Sequence, residues 1–175
     1  GVSLPLPTGS GGMAMFRYSP WLAAFLLSLP AYATDLPAQI GSDTTLTAAQ
    51  SPYLLPTSTL IDAGANVTVE PGVEIIATGD VRLFVYGTLS GGSAAGPAIV
   101  LRASDVGARG AWQGLYVAPT GRLRLTHATL ANAVYGVMSP GGEVTLSGCR
   151  FDLTGADGLY LWGGVGRGKT FLVDL

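Results

Sequence analysis

A glycine-led segment recurs at a fixed distance in this chain. Gly114-Leu115-Tyr116-Val117, Gly136-Val137-Met138-Ser139 and Gly158-Leu159-Tyr160-Leu161 begin 22 residues apart, twice in succession. Each opens a strand-like run. The first two pass through a Gly- or Pro-containing turn into a second run, residues 122–126 and 143–147. A fixed period with turn signals inside it marks a stacked repeat, in which each unit buries its apolar face only against its neighbours. Stacking at this period places Leu115, Val137 and Leu159 in one column and Val117, Ser139 and Leu161 in another. Leu125 and Leu146, like Leu130 and Phe151, stand 21 residues apart. The one-residue difference falls in a turn, where length changes are tolerated.

The rest of the chain reads the same way. Strand-like runs at residues 66–70, 73–76, 81–86 and 99–102 are separated by Pro71-Gly72, Gly87 and a Gly/Ser/Ala-rich loop at 90–97. Val67 and Val69, like Leu123 and Leu125, alternate with polar residues, the period of a strand with one buried face. No stretch from 34 to 157 holds a long amphipathic helical pattern; residues 128–134 come nearest and lack a cap. Charge is sparse at 11 %, apolar residues make up 48 %, and there are 26 glycines, the balance of a Gly-punctuated all-β protein. The fold class expected is all-β: a short right-handed parallel β-helix with rungs about 4.8 Å apart.

Residues 51–76 (SPYLLPTSTLIDAGANVTVEPGVEII), then YGTL and GAWQGLYV, resemble the opening of secreted bacterial right-handed parallel β-helix proteins. The resemblance covers about residues 52–162. It implies that fold, and a group that includes surface proteins, adhesin-like passengers and polysaccharide-acting enzymes.

The N-terminus reads as an address. Arg17 precedes an apolar run at residues 21–29, too short for a membrane span, and Ala31-Tyr32-Ala33 is a small-residue cleavage site. The expected organisation is an upstream or expression remnant at 1–12, a signal peptide at 13–33, an opening strand or cap at 34–56, β-helix rungs at 57–162 and a Gly-rich tail at 163–175. The mature chain would begin at Thr34, carry no membrane span, and be secreted, periplasmic or at the cell surface. A net charge of −2 shows no basic footprint for nucleic acid. A lone cysteine, Cys149, excludes an internal disulfide framework.

One motif points elsewhere. Gly163-Gly164-Val165-Gly166-Arg167-Gly168-Lys169-Thr170 fits G-x-x-x-x-G-K-[ST]. Gly163 and Gly168 would let backbone N–H groups approach phosphate, Lys169 would reach the outer phosphates of ATP, and Thr170 would hold Mg²⁺. Residues 158–175 resemble the phosphate loop of ZapE-type ATPases, which implies a nucleotide site and a helix opening at Thr170. The sequence ends five residues after Thr170, without a segment for the Mg²⁺-binding carboxylate, so the nucleotide reading stays an alternative.

For other chemistry the residues are scattered. The carboxylates from Asp35 to Asp174 include Glu70 and Glu74 around a turn and Asp152 and Asp157 in one loop, but no cluster of the kind that hydrolyses glycosides. Solvated turn positions are expected for them. His127 stands without a second metal ligand nearby, and Cys149 suits a small core position. The expectation is therefore no catalytic centre, no metal and no cofactor, outside the ATP/Mg²⁺ alternative. Tyr116, Met138 and Tyr160 share an outward column, and exposed rings stack on sugar rings. Tyr116 and Tyr160 are the candidate contacts. The function expected is a displayed scaffold for interaction or glycan contact, and the other alternative is the opening part of a polysaccharide-acting β-helix enzyme.

Overall fold

A computed structural model describes residues 32–152, 154–155, 159–161 and 172–174, the last two segments as backbone. Strands dominate, and the described residues hold a single short 3₁₀ turn, Ala48–Gln50, and no α-helix. In chain order the strands fall into triplets. The first is β1 (Thr34–Asp35), β2 (Gln39–Ile40) and β3 (Thr44–Leu46). The second is β4 (Tyr53–Leu55), β5 (Thr59–Ile61) and β6 (Asn66–Val69). The third is β7 (Glu74–Ala77), β8 (Arg82–Val85) and β9 (Thr88–Gly92). The fourth is β10 (Ile99–Ala103), β11 (Gly114–Val117) and β12 (Arg122–Thr126). The fifth is β13 (Ala128–Ala131), β14 (Val137–Ser139) and β15 (Glu143–Ser147). The last is β16 (Arg150–Asp152), β17 (Leu159–Leu161) and β18 (Leu172–Asp174).

Every strand pairs in parallel with the strand three places away, giving three six-stranded sheets: β1-β4-β7-β10-β13-β16, β2-β5-β8-β11-β14-β17 and β3-β6-β9-β12-β15-β18. The chain is a parallel β-solenoid of about 5 turns. The columns read from the repeat stand in register: Leu115 opposite Val137, Val137 opposite Leu159, Leu125 opposite Leu146, and Leu130 opposite Phe151. The period extends upstream, since Tyr53 pairs with Ile75 and Val67 with Leu89, both 22 positions apart. Solenoid strands start at Thr34, so the segment expected as an opening strand or cap already supplies the first layer.

Alternation explains the core. In β8, β10 and β11, the residues between the outward ones are buried: Leu83 and Val85, Leu101 and Ala103, Leu115 and Val117. Each fully buried Leu or Ile side chain contributes about 1.5–3 kcal/mol of transfer free energy. The buried hydroxyls of Thr59 and Ser139 have partners inside the winding. The Thr59 hydroxyl donates to the Pro37 carbonyl at 2.7 Å, and Ser139 donates to the Gly142 carbonyl at 3.2 Å.

The period breaks between the third and fourth triplets. Phe84 and Tyr116 pair at a spacing of 32, and Leu89 and Leu123 at 34. The residues added before Tyr116 lie in two corner loops, 93–98 and 104–113, and the two more added before Leu123 lie in the corner at 118–121. The longer loop is pinned from below. Asn132, 1 % exposed, donates through Nδ2 to the carbonyls of Val106 and Ala108 at 3.0 and 2.9 Å. It takes φ 63°, a conformation Asn tolerates better than most residues. Trp112 then enters the core at 1 % exposure and donates its indole N–H to the Ala131 carbonyl at 2.9 Å.

Two local expectations are corrected. Residues 90–92 belong to β9 and not to the loop, because the β6 and β12 edges on either side pair with them. The helix expected to open at Thr170 does not form over Leu172–Asp174, which are a strand pairing with Thr145–Ser147 of β15. Leu172 and Val173 favour a sheet, and the open edge of β15 supplies the ladder partners that an uncapped short helix lacks.

Candidate functional site

The most distinctive outward surface lies on the sheet of β5, β8, β11 and β14. Pairing sets Leu60, Phe84, Tyr116 and Met138 in one column, with Tyr160 next in register. Leu60, Phe84, Tyr116 and Met138 are each half-buried, with their inward neighbours in the core. Phe84 and Tyr116 meet edge to face, with ring centroids 5.7 Å apart and planes at 62°. That geometry sets the positive ring edge of one against the negative face of the other. Tyr86, two residues beyond Phe84, is 41 % exposed.

A polar row runs beside the rings. The Arg82 guanidinium carbon stands 5.9 Å from the Phe84 ring centroid, within cation–π range. Its Nη2 donates to Oε1 of Gln113 at 2.9 Å, and Nε2 of Gln113 donates to Oδ1 of Asp80 at 2.5 Å. Gln113 is placed by its own N–H, which donates to the Val81 carbonyl at 2.9 Å. Gly114 pairs with Arg82 across the sheet and adds no side chain there.

Of the two candidate contacts, Tyr116 stands in this column beside Phe84, and Tyr160 shares it in backbone register with Met138. The residues missed from the sequence are Phe84, Arg82 and Gln113. Phe84 carried a signal, an outward aromatic in an alternating strand, but its spacing of 32 from Tyr116 lies off the 22-residue period. Gly163, Gly168, Lys169 and Thr170 lie outside the described residues.

The described carboxylates are dispersed, and most are held locally. Glu74 pairs with Arg102 at 2.5 Å, Glu143 with Arg124 at 2.6 Å, and Asp152 with Arg150 at 3.0 Å. Glu70 accepts from the Ala48 N–H at 2.8 Å, and Asp105 from the Gly107 N–H at 3.0 Å. The backbone and side-chain donors of Asn66 hold the Asp43 carboxyl below its usual range. The Arg124 hydrogen bond does the same for Glu143, against a small opposing effect of burial. Both are therefore ionised at neutral pH, whereas a general acid needs a raised pKa. No group of three or more His, Cys, Asp or Glu side chains among the described residues is placed to hold a metal ion.

His127 turns a corner at φ 54°, with Nδ1 3.0 Å from the Gly96 carbonyl oxygen. Cys149 is 4 % exposed, and burial pushes its thiol up, away from the thiolate a nucleophile needs. A cavity of about 350 Å³ opens at the first layer among Leu36, Ile40, Leu46 and Tyr53, and Asp35 is the sole carboxylate in its lining. No helix among the described residues is long and apolar enough to cross a membrane. In comparisons with known proteins, no family model, no curated protein and no solved structure matches the chain.

Proposed function

We propose that this chain is an exported, surface-displayed β-solenoid scaffold whose ring-bearing face contacts glycan, without a catalytic centre of its own. The observation that carries the reading is the outward column of Leu60, Phe84, Tyr116 and Met138, with an edge-to-face ring pair held by strand register. A solenoid keeps such a column flat, because each ring is carried on a strand buried on its other face. Sugar rings present C–H faces that stack on aromatic faces, and rigid rings lose little conformational freedom on binding. The described carboxylates, dispersed and three of them held in ion pairs, favour contact over hydrolysis.

Affinity electrophoresis through gels cast with soluble polysaccharides tests the reading. The full chain is expected to be retarded by at least one polysaccharide. Tyr116→Ala is expected to weaken that binding about 3- to 10-fold, the effect of losing roughly 0.5–1.5 kcal/mol of ring contact. Retardation that this substitution leaves unaltered overturns the reading.

Export rests on Arg17, the apolar run at 21–29 and Ala31-Tyr32-Ala33, and the first described strand begins at the next residue, Thr34. Expressed in an exporting bacterial host, the processed protein is expected to give the N-terminal sequence Thr34-Asp35-Leu36-Pro37. Recovery of a soluble cytoplasmic protein that retains residues 13–33 counts against export.

A further inference from the structure

We infer that the ring-bearing face selects an acidic sugar chain, with the Arg82 guanidinium taking the carboxylate of a uronate residue stacked on Tyr116 beside Phe84; this rests on the glycan-contact reading above. The inference starts from how the arginines are partnered. Arg102, Arg122, Arg124 and Arg150 each have a carboxylate within ion-pair distance. Arg82 and Arg109 have none among the described residues, and Arg109, in the exposed loop before Trp112, donates to the Thr154 carbonyl at 3.0 Å. The neighbours of Arg82 are an uncharged amide oxygen, Gln113 Oε1 at 2.9 Å, and the face of Phe84. Its Nε is buried and makes no hydrogen bond. Asp80, the nearest acid along the chain, is engaged by Gln113 Nε2 at 2.5 Å, so the amide stands between carboxylate and guanidinium.

The result is a positive charge held beside a stacking surface with no carboxylate among the described residues in direct contact, the nearest one, Asp80, standing behind the Gln113 amide. A guanidinium over an aromatic ring is partly desolvated, which strengthens its pairing with an incoming anion. Its planar fork matches a planar carboxylate. Arg82 is held on β8 by its hydrogen bond to Gln113, while Gly114 leaves the adjoining register position without a side chain. A sugar ring lying over Tyr116 therefore has the cation that sits on Phe84 at its edge.

Charge along the solenoid sets where an acidic chain can lie. From Thr34 to Val81 the sequence carries six carboxylates, Asp35, Asp43, Asp62, Glu70, Glu74 and Asp80, and no lysine or arginine. Arg82 is the first basic residue after Arg17. Glu74 is paired with Arg102, and Asp80 is held by Gln113; Asp35, Asp43, Asp62 and Glu70, which precede the Arg82 layer, disfavour an anionic ligand on that side within a Debye length of about 10 Å at 0.1 M salt, which leaves it the column from Phe84 toward Met138.

The test compares three immobilised hexasaccharides against the full chain at low and moderate salt: an oligouronate, a neutral hexamer and a sulfated neutral hexamer. The oligouronate is expected to bind about tenfold tighter than the neutral hexamer, the gain of one charge-assisted pair, with the margin shrinking as salt rises. Arg82→Gln should bring the oligouronate down to the neutral level. Arg82→Lys, which keeps the charge and loses the fork, should fall between them. Arg124→Gln, on another sheet, should change nothing, and far-UV circular dichroism checks that each variant is folded. Equal binding of uronate and neutral hexamers overturns the inference and leaves the glycan-contact reading standing. Binding of none of the three overturns both. A uronate preference that survives Arg82→Gln removes the role assigned to Arg82. Equal binding of sulfated and uronate hexamers overturns the commitment to a carboxylate.

Discussion

Val137→Asp is expected to unfold the protein or leave it barely folded. Val137 is 0 % exposed and stands in register with Leu115 on one side and with Leu159 on the other. An aspartate there places a carboxylate between coils with no donor to pair it, or forces it to take up a proton and still lose its hydrogen bonds. The cost is about 4 kcal/mol or more, against a total stability of about 5–15 kcal/mol for an ordinary domain. Val137→Ala, which only removes volume, should cost about 2 kcal/mol. Tyr116→Ser, one strand away and on the outward column, should cost less than either. Urea unfolding followed by circular dichroism checks the order. If Val137→Asp and Tyr116→Ser have equal effects, the register is wrong.

Gly114→Ala is the second large effect, and its cause is backbone rather than core. Gly114 takes φ +83°, and a Cβ built there meets the Tyr135 carbonyl oxygen at 1.7 Å. That oxygen belongs to the next coil. The clash cannot be relieved by a rotamer change; β11 or the chain at 135–136 must move. Movement of β11 disturbs its ladders with both β8 and β14. The left-handed conformation adds about 1–2 kcal/mol for any L side chain. The combined cost is expected to exceed about 4 kcal/mol and to appear as loss of soluble, folded protein. Gly107→Ala is the comparison. Its nearest neighbour is the Asp105 carboxylate oxygen at 3.6 Å, so the change should be within about 0.5 kcal/mol of neutral. A Gly114→Ala protein as stable as Gly107→Ala would mean that β11 and the chain at 135–136 do not approach so closely.

These two residues show what kind of information a repeat carries. Gly114 and Val137 were both visible as members of a 22-residue period. The period implies that coil backbones lie against one another at the glycine and that side chains stack one residue later. Alternation did the rest: Leu123 and Leu125 point inward and Arg122 and Arg124 outward, as polarity alone required. The carboxylates show the opposite case. Glu74 finds Arg102, 28 residues on, because β7 and β10 are neighbours in a sheet. Nothing in the local sequence around Glu74 names that partner.

By itself, the sequence determined the fold class, the register of the last coils, and which face of most strands is buried. Those properties are local or periodic: a strand needs alternation, a turn needs Gly or Pro, and stacked identical units need a constant spacing. Only the tertiary structure decided the candidate site. Phe84 joins Tyr116, and Gln113 joins Arg82, because a solenoid absorbs inserted residues in its corner loops and restores register afterwards. The inserted loops at 93–98 and 104–113 hide the pairing from any fixed period while leaving the coils in contact. The same holds for β18. Residues 172–174 read as the start of a helix when judged by the motif before them, yet the unpaired edge of β15 makes them a strand. Local pattern specifies an element where its own hydrogen bonds suffice; where the partner lies a full turn away, the winding of the chain supplies it.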